Sequence, residues 1–121
     1  MLSAKRRAAT ASTDIFERLR SDRTKVLILD GGTGEELFKR GVPDDRKTWS
    51  ATAVVKPEYH DILKQVHQSY MTAGSDAITT NSYGIIPGVG FTDDEVCKYV
   101  ATAGKIARQS VLLDQRHDIG E

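Results

Sequence analysis

Residues 25–41 read KVLILDGGTGEELFKRG. Val26 to Leu29 form a short, continuous apolar run bounded by turn signals, the pattern of a strand buried on both faces. The run ends on Asp30 and passes through Gly31, Gly32 and Gly34 into two glutamates. Thr33 and Glu36 have the spacing of a capping box, in which the hydroxyl accepts from the third helical N–H. Leu37 and Phe38 follow, and Gly41 suits the C-terminal cap of a two-turn helix. The stretch therefore predicts strand, tight turn, helix.

The same alternation continues outward. Residues 42–56 are irregular, with Pro43, Asp44 and Asp45 early and Trp49 in the middle, and a loop of that length in a compact domain is more often functional than accidental. Pro57 suits the first position of a second helix. Tyr59, Ile62, Leu63, Val66, Tyr70 and Ala73 give that helix one apolar face, and Gly74 ends it. Asp76 to Thr80, DAITT, predicts a second short strand, and NSYGIIPGVG from Asn81 to Gly90 is too broken by Gly and Pro to be regular. Thr92 and Glu95 form a second capping box. Val96, Tyr99, Val100, Ala103, Ile106 and Ala107 stripe a long helix to about Leu113, in which Gly104 costs about 1 kcal/mol against alanine. Upstream, Asp14 to Arg23 predicts a short helix with Ile15, Phe16 and Leu19 on one side. Strand, helix, strand, helix with buried strands means an α/β class built of βα units around a parallel sheet. Two parallel strands alone leave two open edges, so the chain reads as the opening of a larger α/β fold.

The 121 residues are enough for one small domain. Lys+Arg and Asp+Glu stand at 17 each, without the basic excess of a nucleic-acid binder. Cys97 is the single cysteine, which excludes an internal disulfide framework and a Cys-only metal site within one copy. A reducing compartment fits, and no apolar run approaches the roughly 20 residues needed to span a bilayer. The segment MLSAKRRAATAST is basic, hydroxyl-rich and free of acids. It reads as a disordered tail or as an organelle transit segment. The expected location is cytoplasmic, with a mitochondrion or plastid as the alternative.

The glycine turn fails the nucleotide motifs. A Walker loop needs a lysine reaching the phosphates, and none occurs before Lys39. The dinucleotide fingerprint needs a final Gly or Ala, where this chain has Leu37. Glu35 and Glu36 would repel phosphate at the helix start. A tight capped turn accounts for the glycines but not for Asp30. A carboxylate at the C-terminal end of a parallel strand faces the ligand side of an α/β fold and suits a substrate ammonium. Free backbone N–H groups beside it suit a carboxylate. Together they suit an amino acid.

Three stretches carry a resemblance: LDGGTGEELFKRG, then WSA at Trp49 to Ala51, then HQSYMTAGSDAITTNSYG from His67 to Gly84. In this order and spacing, across about residues 25 to 113, the chain resembles the homocysteine S-methyltransferase family. That family includes enzymes dependent on S-methylmethionine, on betaine and on cobalamin. The resemblance implies a (β/α)8 TIM barrel, of which this chain would hold the first two or so βα units. It implies homocysteine bound at the barrel mouth, its thiolate on zinc, with methyl transfer giving methionine. S-methylmethionine or S-adenosylmethionine is the expected donor, and neither nucleic acid nor membrane is an expected partner.

By that resemblance Asp30 contacts the homocysteine ammonium, and the backbone at Gly31 and Gly32 lies near its carboxylate. Trp49 walls the pocket, and Thr80 and Asn81 line the mouth. Asp30 would otherwise cap the turn, Trp49 would be plain packing, and Thr80 and Asn81 would bond neighbouring loops. Tyr83 is expected in the core rather than on a ligand. The family's zinc ligands are three cysteines, which this chain lacks, and Cys97 is read as a small buried helix residue. His60 and His67 lie about 10.5 Å apart along a helix, too far for a metal pair. One is read as a surface residue and the other as packing. Zinc is thus expected for the complete family enzyme and not for this chain alone. The chain is expected to divide into an extension at 1–24, a partial homocysteine-binding unit at 25–113 and a polar tail at 114–121. It would be a truncated, inactive part of a methyltransferase. The alternative is a small α/β interaction module or subunit that completes a barrel with another chain.

Overall fold

The computed structural model describes residues 15–119. The basic segment read as a tail or transit sequence lies outside them. The described residues form five α-helices: α1 (Ile15–Ser21), α2 (Thr33–Lys39), α3 (Thr52–Val55), α4 (His60–Ala73) and α5 (Asp93–Ile119). A single 3-10 turn, Pro57–Tyr59, leads into α4. None of these helices is long and apolar enough to cross a membrane.

The core is built on α4. Its apolar positions recur every three or four residues, so Leu63 and Val66 fall on one face and are sealed from solvent. α5 packs most extensively against this face through Ala103, Ile106 and Ala107. Leu37 of α2 and Val42 join the same cluster, as do Ala53 and Val54 of α3. The loop after residue 80 is pinned by buried Ile85 and Phe91, and the Phe91 ring meets Tyr99 edge-on at 5.8 Å.

Helix ends follow local chemistry. After α2 the Gly41 N–H donates to Phe38 O and the Val42 N–H to Leu37 O, both 3.0 Å. After α4 the Gly74 N–H donates to Met71 O and the Ser75 N–H to Tyr70 O, again both 3.0 Å. Each stop needs a left-handed residue, and Gly41 (φ 95°) and Gly74 (φ 113°) supply it. The box at α5 forms in both directions: the Glu95 N–H donates to Thr92 Oγ1 (3.2 Å) and the Thr92 N–H to Glu95 Oε1 (3.1 Å). The box expected at Thr33 does not form. The Glu36 N–H donates to Gly32 O, so α2 starts one residue early with Thr33 inside it and no side-chain cap. The Glu36 carboxylate lies toward Lys39 and Arg40, at 3.7 and 3.8 Å.

The expected α/β fold, with its βα units of a TIM barrel, is overturned. The described residues contain no strand and no sheet. Residues 25–29 and 76–80 run side by side in parallel but share one isolated bridge, Leu29 with Ala77. A ladder needs each N–H to meet a backbone carbonyl across the gap. Here the Ile28 N–H donates to Asp76 Oδ2 instead (3.1 Å), and the Thr79 N–H to Asp30 Oδ2 (2.8 Å). Carboxylates have taken the acceptor positions that a sheet would use. Nor is the apolar run buried on both faces: Val26, Ile28 and Leu29 are exposed. The layer that survives is helical.

Other expectations also shift. The loop at 42–56 contains one helical turn, α3, and α5 runs on to Ile119 rather than stopping near Leu113. Cys97 is exposed, not buried. Tyr83, expected in the core, is 95% exposed.

Candidate functional site

The segment at 25–30 delivers Asp30 to the head of the glycine turn, where its carboxylate meets the end of the second segment. Oδ2 accepts the Thr79 N–H at 2.8 Å and Oδ1 accepts the Thr79 hydroxyl at 2.9 Å. Asp76 makes the reciprocal contact further down: its side chain takes the Ile28 N–H, and its own N–H donates to Ile28 O at 2.7 Å. Two aspartates, one from each segment, thus lace the pair together. An ionised carboxylate offers about four lone-pair sites. Thr79 uses two on Asp30, which leaves capacity for a cationic group.

The turn is seated on α4. A Cβ built on Gly31 would stand 3.2 Å from the Tyr70 hydroxyl, so a larger residue there would press on the Tyr70 ring, which packs against the turn. Three residues before Tyr70 on the same helix is His67, wholly buried, with no partner among the described residues for either ring nitrogen. Burial lowers its pKa from 6.5, and the negative charge of Asp30 opposes that shift. The imidazole is therefore neutral at pH 7. His60, by contrast, is satisfied through a 2.7 Å bond between Nε2 and the Val54 carbonyl oxygen.

The tryptophan loop approaches from the third side. Asp45 organises it, accepting the Lys47 N–H on its side chain (2.9 Å) and the Thr48 and Trp49 N–H groups on its carbonyl. That tight turn holds Trp49 at φ 51°, a left-handed conformation costing roughly 1–2 kcal/mol for a residue with a Cβ. Its ring is left 66% exposed. The next residue fastens the loop: Ser50 O accepts the Asn81 amide at 2.8 Å, and Asn81 is buried. Thr80 is exposed, its hydroxyl 2.9 Å from that of Ser82. A cavity of about 320 Å³ opens beside Trp49 along α2, bordered by Glu35, Phe38 and Asp44. Asp30, Gly31, Gly32, Thr80 and Asn81 do not border it.

The three stretches that carried the resemblance therefore meet in space, joined by Asp30 to Thr79 and Ser50 to Asn81. The sequence profile of the homocysteine S-methyltransferase family matches residues 27–116. The chain belongs to the homocysteine S-methyltransferase family.

Individual relatives agree. Homocysteine S-methyltransferase 1 of Brassica oleracea var. italica is 36% identical over 62 residues, 50% of this chain and 18% of that protein. Selenocysteine methyltransferase of Astragalus bisulcatus is 31% identical over 90 residues, 71% of this chain and 26% of that protein. Homocysteine S-methyltransferase of Escherichia coli K12 is 35% identical over 66 residues, 54% of this chain and 21% of that protein. The chain thus spans between 18% and 26% of the length of these relatives. No solved structure matches it significantly.

Zinc, which the family resemblance implied, does not fit the described residues. Among the described residues no three His, Cys, Asp or Glu side chains are grouped to hold a metal ion. Cys97 stands on α5, away from the glycine turn in sequence and exposed. Three polar residues near the turn escaped sequence reasoning: Thr79, Asp76 and His67 as a buried polar group. A signal for the first two was present. Each apolar segment is flanked by an aspartate, Asp30 after one and Asp76 before the other, the arrangement that reciprocal lacing requires. His67 carried none, since a histidine on an apolar helix face reads as packing.

Proposed function

We propose that this family member binds homocysteine at the glycine turn, as part of a transfer that moves a methyl group onto the homocysteine sulfur and gives methionine. Asp30 takes the substrate ammonium with the lone pairs that Thr79 leaves open. The backbone at Gly31 and Gly32 receives the carboxylate, Trp49 walls the site, and Thr80 and Asn81 border it. The observation that carries this reading is the meeting of Asp30 with Thr79, which joins two of the three stretches and leaves the carboxylate only half used by its internal partner.

In such a transfer the thiol first loses its proton to solvent. The thiolate then attacks the methyl carbon of an onium donor, a new sulfur–carbon bond forms, and the donor's carbon–sulfur bond breaks with its electron pair leaving on a neutral sulfide. Exposed Trp49 and Phe38, with Glu35 and Asp44 around the adjoining cavity, suit a cationic methyl donor through ring faces and negative charge. That favours S-methylmethionine or S-adenosylmethionine. The described residues offer no group to hold or activate the thiolate, so we assign them binding and orientation without turnover of their own. The binding unit is residues 25–113, acting in the cytoplasm.

Titration calorimetry of the full chain with L-homocysteine tests the reading. Binding should be saturable and should be lost in Asp30→Ala, while methyl transfer from S-methylmethionine stays at background. Equal affinity in Asp30→Ala would overturn the assignment of the ammonium site.

A further inference from the structure

The clamp on Asp30 does more than join the two segments. One residue holds the carboxylate at both oxygens: the Thr79 N–H donates to Oδ2 at 2.8 Å and the Thr79 hydroxyl to Oδ1 at 2.9 Å. A carboxylate bonded at a single oxygen still swings about its last side-chain torsion, which is broad and without sharp staggered wells. Bonded at both, it cannot turn without breaking one bond. The two donors also keep their spacing, because a β-branched side chain is stiff at its first torsion. Thr79 is in turn fixed from either side. Two residues before it Ala77 bridges Leu29, and two residues after it the buried Asn81 donates to Ser50 O at 2.8 Å. Its neighbour Thr80 turns elsewhere, its hydroxyl lying 2.9 Å from that of Ser82. Joining the segments needs only the backbone bond. The hydroxyl bond adds orientation, and on an exposed pair of side chains it adds little stability, because water competes for both groups.

We propose that Thr79 is a positioning residue for ligand recognition: its hydroxyl locks the plane of the Asp30 carboxylate, so that the lone pairs left on the two oxygens stand ready for the ammonium of an amino acid. The role rests on the homocysteine reading above and names the part of the ligand it serves, the α-ammonium. Each carboxylate oxygen carries about two lone pairs, and Thr79 takes one from each. The acceptors that remain suit a group with several N–H donors around one charge. Holding them still before the ligand arrives removes a rotamer that binding would otherwise have to freeze. Hydrogen bonds between ionised groups are the stronger kind, and they depend on aim. A thiol carboxylate without the amino group gains nothing from the lock.

Affinities of the full chain for L-homocysteine and for its desamino analogue, mercaptobutanoate, decide it, followed by NMR titration so that weak binding is also read. The wild type should prefer homocysteine by about tenfold or more. Thr79→Val keeps the shape and the backbone N–H but loses the hydroxyl. It should bind homocysteine about fivefold more weakly, with its affinity for mercaptobutanoate unchanged. Thr79→Ser, which keeps the hydroxyl, should recover most of the loss. If Thr79→Val fails to fold, Thr79→Ala removes the same hydroxyl and gives the same comparison. The proposal is overturned if Thr79→Val binds homocysteine like the wild type while Asp30→Ala does not. Equal weakening toward both ligands would also overturn it, because that marks a change in the fold rather than in the aim of Asp30. So would a Thr79→Ser variant that binds no better than Thr79→Val. If the wild type shows no preference, or Asp30→Ala keeps it, the homocysteine reading itself falls and takes the positioning role with it.

Discussion

Two parts of this molecule start from similar apolar sequence and end in opposite states. On α4 and α5, Leu63, Val66 and Ala103 are 0% exposed. Between residues 25 and 30, Val26, Ile28 and Leu29 are 79%, 55% and 61% exposed. The helices bury their stripe because each offers the other a complementary face, with small residues on α5 allowing close approach. Among the described residues the segment pair has no second face to lie against, and it is held by carboxylates and backbone rather than by packing. Apolar composition states what a segment can bury, but a facing surface decides whether it does.

The contrast can be broken most forcefully at Leu63. Leu63→Ala removes a sealed side chain from the centre of the cluster and should cost about 2–5 kcal/mol, read as a lower urea midpoint at unchanged slope. A smaller loss should follow acidification. His67 is held neutral in the fold because burial lowers its pKa from 6.5, whereas the unfolded chain takes up a proton below about 6.5. The unfolded state then binds more protons, so His67's contribution to stability is full above that pH and is lost as pH falls through it. The slope attributable to this residue is at most about 1.4 kcal/mol per pH unit. Subtracting the pH profile of His67→Leu from that of the wild type isolates it, and parallel profiles would remove His67 as the titrating group.

In the segment pair the hydrogen bonds should matter more than the side-chain packing. Asp30→Ala should cost about 1 kcal/mol, and amide exchange at Thr79 should speed up well before exchange in α4 does. The two helix starts make a finer test. Thr92→Ala breaks a formed capping box and should cost about 1 kcal/mol. Thr33→Ala, at the box that does not form, should cost no more than a few tenths. Smallest of all, Leu29→Ala should change stability by less than about 0.5 kcal/mol. A loss comparable to that of Leu63→Ala would mean that this run is covered in solution.

These cases also mark what the sequence could and could not disclose. Helix periodicity located α4 and α5, and Gly41 and Gly74 were legible as left-handed stops because few other residues tolerate that conformation. The Thr92 box was legible for the same local reason, and its twin at Thr33 failed because α2 starts one residue early, with Gly32 at its cap and Thr33 inside it. The strands at 25–29 and 76–80 were misread because a buried strand and a laced, exposed segment have the same composition. What separates them is the acceptor each N–H finds across the gap, and that depends on residues some 48 positions away. The bonds of Asp30 to Thr79 and of Asn81 to Ser50 join stretches that lie far apart in the chain. No local rule would have joined them.

The lacing bonds have a kinetic side as well. They close loops 48 and 49 residues long, whereas each helix cap closes within a few residues of itself. Loop closure costs chain entropy before any bond can offset it, and contacts of long sequence separation form late. The helices can therefore assemble while the glycine turn is still free. Asp30 would then be the last part of the site to take its place during folding and the first to leave it during unfolding.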